Sequence, residues 1–102
     1  MKNMLYAVIS KDVPNSLETR LKIRPAHLER LETLKAQGHL ILAGPHPAID
    51  APDPGAAGFS GSLIVAQFPS LEDARAWAEA DPYNESGVYA SVTVKPFKKV
   101  LP

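Results

Sequence analysis

Apolar and polar positions along this chain change period several times, and each change marks a new element. Met4 to Ser10 (Met-Leu-Tyr-Ala-Val-Ile-Ser) is a short, almost continuous apolar run with aromatic and β-branched members, the pattern of a buried strand. Lys11 to Asn15 reads as a turn, and Ser16 is placed to cap a helix through its hydroxyl. Leu17, Leu21, Leu28, Leu31 and Leu34 then follow a helical spacing. Pro25 interrupts that series. Proline suits the first turn of a helix and costs about 3 kcal/mol inside one. The pattern therefore predicts a short helical segment to Ile23, a break at Arg24 and a main helix from Pro25 to Gln37, stopped by Gly38.

His39 to Ala43 reads as a second strand and Ser62 to Phe68 as a third. Between them, Gly44 to Gly61 carries Pro45, Pro47, Pro52 and Pro54 with Gly55 and Gly58. So many breakers predict a long loop, of the kind that covers a ligand or stays disordered. Ser70-Leu71-Glu72-Asp73 opens a second helix, with Ser70 as its cap, an acidic pair on the positive end and Asp73 at the capping-box position. Leu71, Ala74, Trp77 and Ala78 form its apolar face, and Pro82 ends it at Asp81. From Val88 to Pro96 the chain alternates. Val88, Ala90, Val92 and Val94 form one face of a strand, and Tyr89, Ser91, Thr93 and Lys95 the other. The order β-α-β-β-α-β predicts an α+β, ferredoxin-like fold, a four-stranded antiparallel sheet with both helices on one face. The amphipathic outer face predicts two sheets packed back to back.

Composition narrows the function. A chain of 102 residues fits a single domain, 1–102, whose core is modest and is readily completed by a second subunit. Eleven basic and eleven acidic residues cancel, which argues against a nucleic-acid partner. Lys95, Lys98 and Lys99 form a basic end that reads as a solvated guard on a strand edge. The absence of cysteine excludes disulfides, thiolate nucleophiles and cysteine-bound metals. The N-terminal apolar run is too short for a signal segment and no window reaches the length of a membrane span. A cytoplasmic protein without membrane association is the expectation.

The chemistry concentrates on two residues. On a helical wheel His27 lies inside the stripe drawn by Leu28, Leu31 and Leu34, roughly 40° from its centre. It is either a core histidine bonded to a carbonyl or a functional imidazole. Asp81, fixed before Pro82, is either a helix terminator or that imidazole's partner. Asp81 at a helix C-terminus and Arg24 near a helix start both oppose the helix dipole, which suggests that they answer each other or an anionic ligand. The plainer reading pairs Arg24 with Glu18 or Asp12 on the surface. His39 and His46 match no metal-ligand spacing, the glycines near Gly44 and Gly55 lack the lysine of a phosphate loop, and Ser62 lacks a nucleophile elbow. Neither a metal nor a cofactor is expected.

Several stretches together resemble the YCII-related family: Arg24-Pro25-Ala26-His27-Leu28-Glu29-Arg30-Leu31, Gly38, Ala43-Gly44-Pro45, Gly58-Phe59-Ser60-Gly61-Ser62, Ala80-Asp81-Pro82-Tyr83, Gly87-Val88-Tyr89 and Val94 to Val100. Their order and spacing span essentially the whole chain. The resemblance implies a ferredoxin-like fold of the dimeric α/β-barrel type, a homodimer, and an active site on a histidine and an aspartate that match His27 and Asp81. Arg24, Gly44 and Ser62 match positions near that site and become candidate substrate-binding residues. One family member is a dehydrochlorinase of a chlorinated hydroxyhydroquinone. The expectation is a small, cofactor-independent enzyme in which Asp81 orients His27 and His27 moves a proton on a small molecule. The alternative is a non-catalytic homodimer that binds a small metabolite.

Overall fold

A computed structural model describes residues 4–102 of the chain. Its elements are β1 (Met4–Asp12), α1 (Leu17–Ala36), β2 (Leu40–Pro47), β3 (Phe59–Phe68), α2 (Leu71–Glu79), α3 (Pro82–Glu85) and β4 (Tyr89–Phe97), with a single 3₁₀ turn at Gly55–Ala57. The strands lie in the order β2-β3-β1-β4, each neighbouring pair antiparallel. This is the expected ferredoxin-like α+β arrangement. Among the described residues no helix is long and apolar enough to cross a membrane.

One face of the sheet carries the core. Tyr6 and Val8 of β1 pair with Ala66 and Ile64 of β3 and meet Leu31 and Leu34 of α1 and Ala74 and Ala78 of α2. Full burial of a leucine or isoleucine here contributes roughly 1.5–3 kcal/mol. Ala74 and Ala78 are small enough to bring α2 down onto the strands. Along β1 the same face continues as Ser10 and Asp12, and along β3 as Ser62, all buried. The apolar floor thus becomes polar at one end of the sheet.

Several expectations are corrected. α1 does not break at Arg24 but runs through Pro25 as one helix of 20 residues. The exposed Pro25 removes one backbone donor, and burial of Arg20 on one side and of His27, Leu31 and Leu34 on the other holds both halves to the sheet. Leu21 and Leu28, expected on the buried stripe, are 58% and 37% exposed. Ser16 precedes the helix but its side chain makes no capping bond, whereas Ser70 accepts from the Asp73 N–H as expected. Gly38, at positive φ, and His39 return their N–H groups to Lys35 and Leu34 and close the helix end.

The predicted 44–61 loop is strand at both ends and irregular only between Ala48 and Gly58. β2 extends through Gly44 and Pro45 to Pro47, and β3 begins at Phe59. β2 tolerates its prolines because it is an edge strand, where an imide nitrogen facing away from the sheet forfeits no ladder bond. Gly61 lies where β3 passes tightly against β1, and a Cβ there would collide with the Ser10 carbonyl oxygen. The second helix ends at Glu79, and Asp81 starts the separate α3. Finally, the alternation of β4 slips. The register changes from Lys11 opposite Ser91 to Asp12 opposite Tyr89, leaving Ala90 as a bulge. Tyr89, expected on the outer face, turns inward and is buried.

Candidate active site

α1 and α3 bring His27 and Asp81 into contact. Asp81 caps α3, its Oδ1 accepting the Tyr83 N–H at 2.9 Å, with Pro82 at the first helical position. The aspartate therefore sits on the favourable end of a helix, contrary to its reading as a misplaced C-terminal charge. His27 Nδ1 lies 2.9 Å from Asp81 Oδ2 and 3.0 Å from Oδ1. A carboxylate only accepts, so Nδ1 carries the proton and donates. The lone pair of the neutral ring is thereby assigned to Nε2. Both side chains are buried, but only His27 lines a cavity, and Asp81 stands behind it.

Three further residues complete this end of the site, and sequence reasoning missed all of them. The Tyr83 ring stacks on His27 at 4.2 Å and 21°. The Arg20 guanidinium covers Tyr83, 4.7 Å from its centre. Arg30 lies over Trp77, donates to the Trp77 carbonyl at 2.8 Å and leaves its buried Nη1 without a hydrogen bond, 3.9 Å from Asp81 Oδ2. The only sequence signal for Arg30 is its position one helical turn after His27.

Arg20, not Arg24, is the partner of Asp12. Its Nε donates to Asp12 Oδ2 at 2.8 Å, and its Nη2 donates to the Gly61 carbonyl and the Ser62 hydroxyl, both at 3.1 Å. Burial alone lowers the guanidinium pKa, but the hydrogen bond and charge of Asp12 outweigh it and the net shift is upward. Ser62 also shares hydrogen bonds with Ser10 at 3.0 Å and Tyr89 at 3.2 Å. Burial pushes the phenols of Tyr83 and Tyr89 above their ordinary range, Arg20 pulling against it at both. Tyr89 thus stays a neutral hydroxyl at physiological pH, able to donate.

Arg24, Gly44 and Ser62 all line the cavity of about 170 Å³ that His27 faces. Arg24 is exposed and mid-helix, so no helix start opposes its charge, and it forms no ion pair with Asp81 or any other described residue. A second cavity of about 490 Å³ adjoins the first across Arg24 and Tyr83. Among the described residues no three His, Asp or Glu side chains gather as metal ligands would.

The chain has clear relatives. The YCII-related domain matches residues 4–98. Protein YciI of Escherichia coli is 60% identical over 98 residues, covering 96% of this chain and 100% of that one. A derivative of benzaldehyde biosynthesis cluster protein C from Emericella nidulans is 37% identical over 75 residues, 70% of this chain and 74% of that one. Among solved structures, 5-chloro-2-hydroxyhydroquinone dehydrochlorinase from Burkholderia phenoliruptrix, in complex with 2,5-dihydroxybenzoquinone, matches with a TM-score of 0.82 at 29% identity, covering 93% of this chain and 94% of that one.

Proposed function

The chain belongs to the YCII-related family, and from that membership we propose that it is a small-molecule lyase acting on an oxygenated ring by general acid/base chemistry, with His27 as the proton carrier. The observation that carries this reading is the His27–Asp81 pair itself: a buried imidazole anchored at Nδ1 on the rim of a cavity that Arg20, Arg24 and Ser62 also line. Support for the substrate class comes from the dehydrochlorinase neighbour and its ring ligand. The benzaldehyde-cluster relative adds an aromatic association.

The chemistry closes without an oxidant. His27 Nε2 takes a proton from a ring hydroxyl, the oxygen's electron pair enters the ring, and the proton is returned at the carbon bearing chlorine. Loss of a second hydroxyl proton then expels chloride with the C–Cl electron pair, leaving a hydroxyquinone and, in net terms, HCl. Each proton uptake puts a positive ring against Asp81, which makes Asp81 a positioning residue. Arg24 holds the ring oxyanion, and Gly44 and Ser62 shape the cavity wall. The purified protein is expected to release chloride from 5-chloro-2-hydroxyhydroquinone above the spontaneous rate, followed by ion chromatography. Binding of the ring without chloride release would recast the site as a metabolite-binding pocket, and neither binding nor release would sink the reading.

A homodimer is part of the same proposal. The sheet face away from the helices leaves Ile9, Leu42 and Phe97 37%, 48% and 41% exposed. Pairing two such faces removes these apolar side chains from water. Light scattering at micromolar concentration is expected to give twice the chain mass, and a stable monomer would refute the pairing.

A further inference from the structure

The two cavities beside α1 share Arg20, Arg24, Pro45 and Tyr83, so they are successive compartments of one cleft. Their walls differ. The inner compartment, about 170 Å³, meets His27 and Ser62. A cavity of about 150 Å³ takes one benzene ring, so this compartment fits one six-membered ring and little more. The outer compartment, about 490 Å³, is walled by Leu17, Leu21, Pro54 and Phe59. Its one carboxylate, Asp53, accepts from the Gly55 N–H. Arg24 stands where the compartments join and has no ion-pair partner among the described residues.

A bare hydroxylated ring seated inside would leave the outer apolar walls wet. Leu21 in particular presents an apolar side chain to the cleft from a helix whose buried face lies elsewhere. Building on the ring-binding reading above, we infer that the cleft takes an amphipathic ligand. An acidic oxygenated ring occupies the inner compartment with its anionic oxygen on Arg24, and an apolar substituent of several carbons lies in the outer one. Leu17 and Leu21 are then specificity-determining residues that grip the substituent and leave the reacting ring alone.

Titration calorimetry with 2,5-dihydroxybenzoquinone and its 3-hexyl homologue tests this. A fully buried methylene is worth about fourfold in affinity, and a cleft open on one side captures about twofold. The hexyl compound should therefore bind at least about tenfold more tightly than the parent. Leu21→Gln, a neutral change at an exposed position where the fold does not depend on the side chain, should erase most of that gain and leave the parent's affinity within about twofold. Leu17→Gln gives a second reading of the same wall, and circular dichroism confirms that both variants fold. If the parent binds and the hexyl group adds nothing, the inference falls and the ring site stands. A gain that survives both substitutions places the tail elsewhere and also overturns it. If neither compound binds, the ring-binding reading fails and takes this inference with it.

Discussion

His27→Gln is expected to lower the turnover of a chlorinated hydroxyhydroquinone by about 10²–10⁴-fold, the range that a single general acid/base group contributes. Glutamine is close in size, and its amide can still reach Asp81, so the buried wall changes little while the transferable proton is lost. Binding of the parent ring should change by much less than turnover, because Arg24 and the cavity walls remain. Asp81→Asn should cost less than His27→Gln, since it disturbs the orientation of the imidazole and leaves the imidazole in place. The double variant should be no slower than His27→Gln alone, because the two residues act as a unit. Stopped-flow assays on folded protein decide the matter. Turnover unchanged in His27→Gln removes His27 from the reaction, and fully additive losses separate the two residues.

The largest effect on stability is expected from Asp12→Ala. The variant leaves the Arg20 guanidinium, 5% exposed, without its 2.8 Å partner. Breaking a buried pair from one side costs about 3–5 kcal/mol, against a total of about 5–15 kcal/mol for a whole domain. In a chain of this size each kcal/mol moves Tm by about 4–8 °C, so a fall on the order of 20 °C should appear by calorimetry. Replacing both partners with apolar residues, Asp12→Leu with Arg20→Met, should recover much of the loss because no charge is then stranded. A single variant that melts within about 5 °C of the wild type would show that Arg20 finds water and that the pair holds little. The same substitution loosens Ser62 and the guanidinium over Tyr83, so ring binding should weaken along with stability.

The topology was legible because three apolar runs, one alternating run and two amphipathic helical patterns allow few other arrangements at this length. His27 was legible from its place on the wheel near Leu31 and Leu34 and is buried with them, although the same leucine spacing misplaced Leu21 and Leu28. Asp81 was harder. Asp-Pro marks a helix end and a helix start equally well, and only the second reading gives the carboxylate its bond to the Tyr83 N–H. Tyr89 was not legible, because the alternation of β4 is unbroken in sequence and its slip arises from pairing with β1 at Lys11 and Asp12. Arg20 went unread, because only the folded sheet sets Asp12 and Ser62 against it. The strand character of Gly44 to Pro47 was masked by prolines that an edge strand accommodates.

The continuity of α1 through Pro25 has a consequence for how the site behaves when filled. Without an amide proton at Pro25, the Leu21 carbonyl loses its i+4 donor, and one rung is missing between the turns that carry Arg20 and those that carry His27. The helix is one rod in shape but is jointed in its backbone ladder. A molecule that touches Arg24 and Leu21 on one side of that joint and His27 on the other acts as a splint. Occupancy of the cleft is thereby written into the fraying of the helix, at amides that never touch the ligand.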